Sequence, residues 1–362
     1  MKKVFFAALA VTFMFASCNK EDNGIPEGKD AKLIVQVETP SSKATGTAAT
    51  GDATITGYEI LVFDVNGGNV GYTSGTATTQ EVTTNTNASE VYVIANAPAG
   101  LFSAGTTKTA LLAYTTDLDQ ATAANSQYTK RWATGSSAVS AFVQSGADFV
   151  ATATVVMKFI AARITVTIDN QMQNYIATAT DGSFVLKGVS VLNATSASKL
   201  YGTSLVSGTS YYAGTSMSGF AAANIPATYT VKSFLKDAIT AGIPNTNGYH
   251  FYVFENAATA ANDYPTIVMV EGEYENQPIY FPVHLAAYEQ FSTGSMSSGV
   301  LRGNSYNLTF KLSGDARFSE GGSYPGDTGG TEDPTIPSGV TAKCTVTLSI
   351  NDWTPVNLVK EF

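Results

Sequence analysis

Cysteine and histidine are scarce in this sequence, which has two of each among its 362 residues. A disulfide-rich scaffold is therefore excluded, and the fold must be held together by packing. No HExxH, GxSxG or CxxC motif is present, and no glycine-rich loop has the spacing that cradles phosphate. His250 and His284 each lie in an aromatic segment, where a histidine is usually an ordinary strand residue. The sequence thus predicts no catalytic residue, no metal site and no cofactor.

Charged side chains are also few, at 14% of residues against about 25% in typical soluble proteins. The surface must therefore consist mainly of Thr, Ser, Asn, Gly and Ala, which is typical of an extracellular β-protein. The net charge of −9 argues against a basic surface for nucleic acid. Beyond the N-terminus, no apolar run reaches the roughly 18 residues that a membrane-spanning helix needs.

The N-terminus has the pattern of a bacterial lipoprotein signal and is excluded from the fold. A basic start at Lys2 and Lys3 precedes an apolar stretch, Val4–Phe15, and small residues then lead to Cys18. We expect residues 1–17 to be removed and Cys18 to carry the lipid, such as palmitate, that anchors the precursor in the outer membrane. The alternative is a plain secretory signal with a chance cysteine at its end.

The first strand of the fold is predicted at Ala31–Glu38, where Leu33, Val35 and Val37 alternate with their neighbours. The loop that follows is made of Pro, Ser, Thr, Gly and Ala around one basic residue, Lys43, so we expect proteases to reach it. A cut there would leave the strand held by noncovalent contacts alone. The alternative is an ordinary first strand followed by a loose loop.

Short strands separated by turn signals fill most of the remaining chain, a pattern typical of β-sandwiches. A change of sandwich is expected near Val156–Ala162, with residues 44–158 in the first domain and residues 159–340 in the second. Thr107–Tyr114 is a possible short helix, and Asn66–Gly68 predicts a hairpin turn. Strands are predicted at Ile55–Val65, Glu90–Asn96, Ala147–Ile160, Ala162–Asp169, Gly182–Leu192, His250–Asn256, Thr266–Tyr274, Gln277–His284 and Ser305–Leu312.

A last strand is predicted within residues 341–362, after a linker at Asp315–Val340 that is rich in Gly, Pro and acidic residues. A tethered terminal strand can pair with its own sheet or reach another molecule, and the sequence leaves both open. Because the linker is long, we expect few contacts of the second sandwich to depend on this strand. Its alternating apolar residues are Cys344, Val346, Leu348 and Ile350.

In order and spacing, these segments resemble the fimbrillin family of Bacteroidales, the type V pilins, over essentially the whole chain. The resemblance implies an all-β fold of two tandem transthyretin-like β-sandwich domains, with an N-terminal lipoprotein signal and a flexible C-terminal donor strand. It also implies export as a lipoprotein, clipping by a trypsin-like protease and polymerisation by donor-strand exchange. The matching features are the lipobox ending at Cys18 and the segments AKLIVQVETPSSK, GYEILVFD, VYVIANAP, ARITVTI, FYVFEN, LRGNSYNLTFKL and TVTLSINDWTPV.

Carried over to this chain, the resemblance places the clip at the Lys43–Ala44 bond and makes residues 18–43 a propeptide. Ala31–Glu38 becomes the removable strand, and the C-terminal strand, with Trp353, becomes the donor. The best-known clip of the family follows Arg, whereas this loop offers Lys, so the resemblance does not identify the protease.

The sequence therefore predicts a non-enzymatic stalk subunit of a cell-surface pilus that supports adhesion. The expected partners are other copies of the chain, other pilin subunits, the maturation protease and, through the lipid, the outer membrane; nucleic acid is not expected. One alternative is a tip or anchor subunit of the pilus. Another is a glycan-binding outer-membrane lipoprotein, because the 18 tyrosines and 19 phenylalanines could include a sugar platform.

Overall fold

The structure is a computed structural model, and nearly all of its regular elements are strands, which confirms the predicted all-β class. It describes residues 28–39, 55–118, 132–172, 184–202, 211–212, 231–232, 235–239, 242–246, 248–257, 265–274, 277–286, 290–291, 294–296, 298–314, 343–351 and 356–361.

The described residues up to 160 form the first half of the fold. Thr107 caps its short helix, as its Oγ1 accepts a hydrogen bond from the Ala110 backbone N–H at 3.2 Å. Gly67 adopts a positive φ of 82° in the predicted hairpin turn. The elements are β1 (Asp30–Glu38), β2 (Tyr58–Asp64), β3 (Asn69–Gly75), β4 (Thr79–Asn85), β5 (Ala88–Ala95), α1 (Lys108–Ala113), β6 (Thr115–Asp117), β7 (Ala133–Ala138), β8 (Val143–Ser145), β9 (Asp148–Val156) and β10 (Lys158–Phe159).

The second half begins at Ala161. The predicted domain boundary after Lys158 lies inside β10, which still pairs with β7 of the first half. The strands are β11 (Ala161–Met172), β12 (Phe184–Leu192), β13 (Ala194–Thr195), β14 (Ala197–Lys199), β15 (Tyr211–Tyr212), β16 (Val231–Lys232), β17 (Leu235–Ala238), β18 (Tyr249–Phe254), β19 (Thr266–Tyr274), β20 (Gln277–Leu285), β21 (Gln290–Phe291), β22 (Gly294–Ser295), β23 (Ser305–Gly314), β24 (Lys343–Asn351) and β25 (Val356–Glu361).

Two sheets form the sandwich of the first half. One has the strand order β4-β1-β9-β8 and the other the order β10-β7-β5-β2-β3. Inward side chains of both sheets merge in one apolar cluster, which includes Leu33, Val35, Ile60, Val93 and Val155. Every second residue of β1 is buried, as expected of a strand with one face in the core.

The second half repeats this strand plan in its larger sheets, β18-β11-β23-β24-β25 and β17-β12-β19-β20. The first strand of each half has the same kind of neighbours. β1 lies between β4, which is antiparallel to it, and β9, which is parallel. β11 likewise lies between antiparallel β18 and parallel β23. An opening strand in an interior sheet position is thus a feature of both halves.

The sheet β10-β7-β5-β2-β3, which we call the shared sheet, has apolar side chains on both faces. Ile60 and Val62 of β2 lie in the core of the first sandwich, whereas Leu61 and Phe63 join a cluster that continues through the second half. All four side chains are fully buried. Two-sided burial explains why β2 reads as a continuous apolar run rather than as an alternation. Separating the halves would expose the second face of this sheet to water.

Residues 194–202 of the second half reach across to the first half. Within this segment β14 pairs with β6, and the Tyr201 hydroxyl donates a hydrogen bond to the Val93 carbonyl of the shared sheet at 2.9 Å. Burial raises the pKa of the Tyr201 hydroxyl well above its ordinary value, which further favours the protonated form that donates this hydrogen bond.

Arg302 holds the end of this segment in place. Its Nη1 donates to the Leu200 carbonyl at 2.9 Å, and its Nε lies 2.9 Å from Oε2 of the buried Glu255. A third donor, Nη2, bonds to the Gly202 carbonyl. One planar guanidinium therefore satisfies a buried carboxylate and two carbonyls beside the contact between the halves.

Replacing Arg302 by Met should lower the free energy of unfolding by about 3 kcal/mol, because the Glu255 carboxylate would stay buried without its cation. The matched control is Lys187→Met, which removes a partly exposed ion pair with Glu273 and should cost about 1 kcal/mol or less. Urea unfolding followed by tryptophan fluorescence measures both values. Equal losses in the two variants would contradict the role assigned to Arg302.

Candidate strand-exchange site

β1 lies inside its sheet and is paired along its length on both sides. Leu33, for example, is opposite Val82 of β4 and beside Ala151 of β9. The hydrogen bonds on the β4 side continue beyond β4 itself, because the Val37 N–H donates to the carbonyl of Thr78, the residue before β4, at 2.7 Å. Without β1, two rows of unpaired backbone groups would face each other across one strand width. We call this vacant strand position the β1 groove.

The inner face of β1 is part of the first core. Leu33 and Val35 have no exposed surface and Val37 is 6% exposed. They belong to the same cluster as Ile60 and Val93 of the shared sheet, which forms the floor of the β1 groove. Burial of the three β1 side chains is worth about 5–9 kcal/mol as an upper bound. The sequence-predicted removable residues are therefore all placed on the buried face.

The outer face of β1 carries a cation between two carboxylates, one on each wall of the groove. Lys32 Nζ lies 3.0 Å from Asp148 Oδ2 at the start of β9 and 3.9 Å from Glu81 Oε1 of β4. The hydrogen bond to Asp148, followed by the charges of Asp148 and Glu81, raises the pKa of Lys32 above its ordinary value. Lys32 is the only Lys or Arg in the four described strands of this sheet.

Three residues predicted from the N-terminal sequence lie outside the described part of the chain. They are Cys18, Lys43 and Ala44. β1 itself ends at Glu38, and Thr39 is the last described residue before position 55. The lipid attachment and the clip thus remain sequence-based predictions.

The C-terminal strand is paired with its own domain, so the expectation that few contacts depend on it is wrong. β24 runs antiparallel to β23, with Cys344 opposite Leu312 and Leu348 opposite Leu308. On its other side it pairs with β25, where Leu348 is opposite Leu358. A long linker does not prevent this return, because the entropy cost of closing a loop grows only slowly with its length.

The remaining donor residues fall on or near the same hairpin. Val346 and Ile350 lie in register with Phe310 and Tyr306 of β23. Trp353 falls between β24 and β25, outside the described residues. The structure thus places the predicted donor strand and the predicted removable strand in different halves of one chain, with no pairing between them.

Two strands of the site were not predicted from the sequence. β4, one wall of the groove, reads TQEVTTN and has a single large apolar residue, Val82. The sequence signal for β4 is weak: it is the two-residue spacing of Val82 and Thr84. These are the β4 residues that the structure shows to be buried. The sequence predicts one terminal strand within residues 341–362, whereas the structure has β25 as the second arm of a hairpin with β24.

Three further features of the described residues concern metal ions, membranes and small ligands. No group of His, Cys, Asp and Glu there could hold a metal ion, and His250 Nδ1 lies 3.2 Å from Thr165 Oγ1 on the neighbouring strand. No described helix has the length and apolarity to cross a membrane. A surface depression of about 500 Å³ is lined by Thr167, Ile168, Asn170, Ile243, Pro244, Asn245 and Thr246, none of them aromatic.

Two family profiles match the chain. The profile of the FimA-like major fimbrial subunit protein, C-terminal domain, covers residues 161–353, and that of the major fimbrial subunit protein (FimA) covers residues 31–183. Together they include β1 at one end and β24 at the other. A search of curated proteins gave no match.

Solved structures share the fold. A candidate cell adhesion protein from Bacteroides eggerthii aligns with a TM-score of 0.62 at 24% identity, over 93% of this chain and 98% of that one. A fimbrilin (FimA) from Porphyromonas gingivalis aligns with a TM-score of 0.58 at 20% identity, over 79% of this chain and 90% of that one. At these identities the likeness establishes the β-sandwich fold.

Leu33→Ala should lower the free energy of unfolding of the unclipped chain by about 2–5 kcal/mol, because it opens a cavity in the first core. Gln36→Ala, on the exposed face of the same strand, should change it by about 0.5 kcal/mol or less. Denaturant unfolding compares the two variants. If both are equally stable, β1 does not contribute to the core as described.

Proposed function

The chain belongs to the family of FimA-like major fimbrial subunit proteins, and from that membership we propose that it is a stalk subunit of a cell-surface fimbria. Neighbouring subunits are joined when the C-terminal strand of one copy fills the β1 groove of the next. The observation that carries this proposal is the pairing of β1 on both sides. Only an interior strand leaves a slot with two hydrogen-bonding walls and an apolar floor when it departs.

The clip between Lys43 and Ala44 controls this exchange. In the unclipped chain β1 is covalently attached to the domain that contains its groove. It therefore occupies the groove at a high effective concentration, and the precursor stays monomeric. After the clip β1 is held by noncovalent contacts alone and is diluted once it leaves. The groove can then accept a strand from another copy.

The donor is β24, whose alternation matches the polarity of β1. Moving it costs few backbone hydrogen bonds, because β24 has a strand on each side in its own sheet and would again have one on each side in the groove. The net driving force is therefore the covering of the exposed groove floor, Ile60 and Val93 included. The chain carries both an acceptor groove and a donor strand, which favours a stalk subunit over a tip or an anchor.

The segment removed by the clip also carries the proposed lipid. Cys18 would anchor the precursor in the outer membrane as a lipoprotein, and cleavage after Lys43 would separate the fold from that anchor. Once β1 leaves after the cut, the groove and the subunit are freed together.

Cys18→Ala should abolish incorporation of labelled palmitate into the precursor and remove fimbriae from the cell surface. The control is Cys344→Ala, which should leave the label in place because it retains Cys18. Labelling of whole cells followed by purification of the chain provides the measurement. A Cys18→Ala chain that is still labelled would overturn the lipoprotein assignment.

Two complementary variants test the exchange itself. A clipped chain lacking Lys343–Phe362 can accept a strand but cannot donate one, whereas Lys43→Ala can donate but keeps its groove filled. We expect neither to form ladders alone and a mixture to stop at a dimer with one copy of each. Size-exclusion chromatography with mass measurement identifies the species, and circular dichroism checks that the truncated chain remains folded.

The control is the clipped full-length chain, which should give a ladder of sizes under the same conditions. Ladder formation by the truncated chain alone would exclude the C-terminal strand as the donor. Ladder formation by an uncut Lys43→Ala chain would exclude the clip as the controlling step.

A further inference from the structure

We propose that the register of the subunit joint is set by Lys343, which takes the place of Lys32 between Glu81 and Asp148 of the accepting copy. This inference rests on the proposed strand exchange and adds which residue of the donor meets which residue of the groove. The ligand of the site is a second copy of the chain, inserted in the direction of β1.

The first argument is a likeness between the two strands of this chain. Residues 31–38 read AKLIVQVE, and residues 342–349 read AKCTVTLS. With Lys343 at the place of Lys32, the apolar residues Cys344, Val346 and Leu348 fall at the places of Leu33, Val35 and Val37. The lysine therefore stands at the same place relative to the alternating apolar residues in both strands.

The second argument is the charge that β1 leaves behind. Glu81 and Asp148 are on opposite walls, and Lys32 is within 4 Å of both. The wall strands β4 and β9, and β8 beyond them, contain no Lys or Arg. Once β1 leaves, two carboxylates on the walls lack their cation. An incoming strand with a cation at this place restores the arrangement seen with β1.

The alternation of apolar residues cannot set this register by itself. A slip of one residue is excluded, because it would turn the polar face of the donor into the core. A slip of two residues keeps the inner face apolar, placing Cys344 at the place of Ala31 or of Val35. The charges distinguish these registers, because only the proposed one brings the ammonium group between both carboxylates. Electrostatic complementarity is better suited to fixing register than to adding affinity.

This arrangement defines the kind of partner that the groove accepts. A terminal strand with Lys or Arg one residue before its first inward apolar position would fit, as in a second copy of this chain. A strand with Asp or Glu at that position would meet two carboxylates and be disfavoured. Glu81 and Asp148 are thus specificity-determining residues of the joint.

The native cysteine of the donor reports the register directly. The clip removes Cys18 with the propeptide, so Cys344 becomes the only cysteine of the chain. The facing positions on β4 are Val82 for the proposed register, Thr84 for the slip toward Ala31 and Gln80 for the slip toward Val35. Opposite residues of antiparallel strands have Cα atoms about 4.5–5.5 Å apart, within the range of a disulfide.

The experiment places one cysteine at each β4 position, as Gln80→Cys, Val82→Cys and Thr84→Cys, in the full chain. After clipping and assembly, mild oxidation is followed by a boiled, non-reducing denaturing gel. We expect Val82→Cys to give covalent oligomers at least about tenfold faster than the other two. Faster cross-linking of Thr84→Cys or Gln80→Cys would overturn the register while leaving strand exchange standing.

Exchanging the charges of Lys343 and Glu81 provides a second test of their contact across the joint. Lys343→Glu should slow assembly about tenfold, and Glu81→Lys in the accepting copy should restore much of the rate. If Glu81→Lys fails to restore it, Lys343 does not lie within ion-pair distance of Glu81 and the proposal is wrong. Assembled ladders without a cross-link at any of the three positions would mean that another segment fills the groove. Absence of ladders from the clipped wild-type chain would instead contradict the proposed function itself.

Discussion

An interior strand position in a β-sheet cannot stay empty in water, and the organisation of this protein depends on that constraint. Both neighbours of β1 direct backbone donors and acceptors toward it, and its inner side chains complete the first core. The chain puts into this position a segment whose covalent connection to the rest of the sandwich runs through the residues that follow Glu38. Under the proposed function, a structural element that the core requires would be retained or released by the cleavage of one peptide bond.

The groove also has a floor that is supported from behind. β2 and β5 contribute Ile60 and Val93 to the floor, while Leu61 and Ile94 on their other face pack with the second half. Tyr201 and Arg302 add directional contacts at the same boundary. Loss of β1 would therefore remove one strand from the β4-β1-β9-β8 layer, while the shared sheet opposite would keep its packing on the second half. This support would help the proposed groove to retain its shape.

Much of this organisation could be predicted from the sequence, and the exceptions have physical causes. Strong apolar runs such as β2 and alternations such as β1 were recognisable, because each encodes its own burial. β4 was missed, since its residues are polar and its strand conformation is imposed by β1 beside it. The pairing of β24 with β23 could not be derived, because alternation defines which face is buried but not which sheet buries it.

The proposed exchange would give β24 two positions, and these differ in how they would respond to a pulling force. In its own domain β24 and β25 form a hairpin at the side of a sheet, where traction on the chain end opens residue pairs one after another. In the groove, tension along a filament would act lengthwise on a strand held from both sides, so all the hydrogen bonds of both ladders would bear the load together. If the exchange takes place as proposed, the same nine residues would separate easily from their own domain and would resist extraction from the β1 groove.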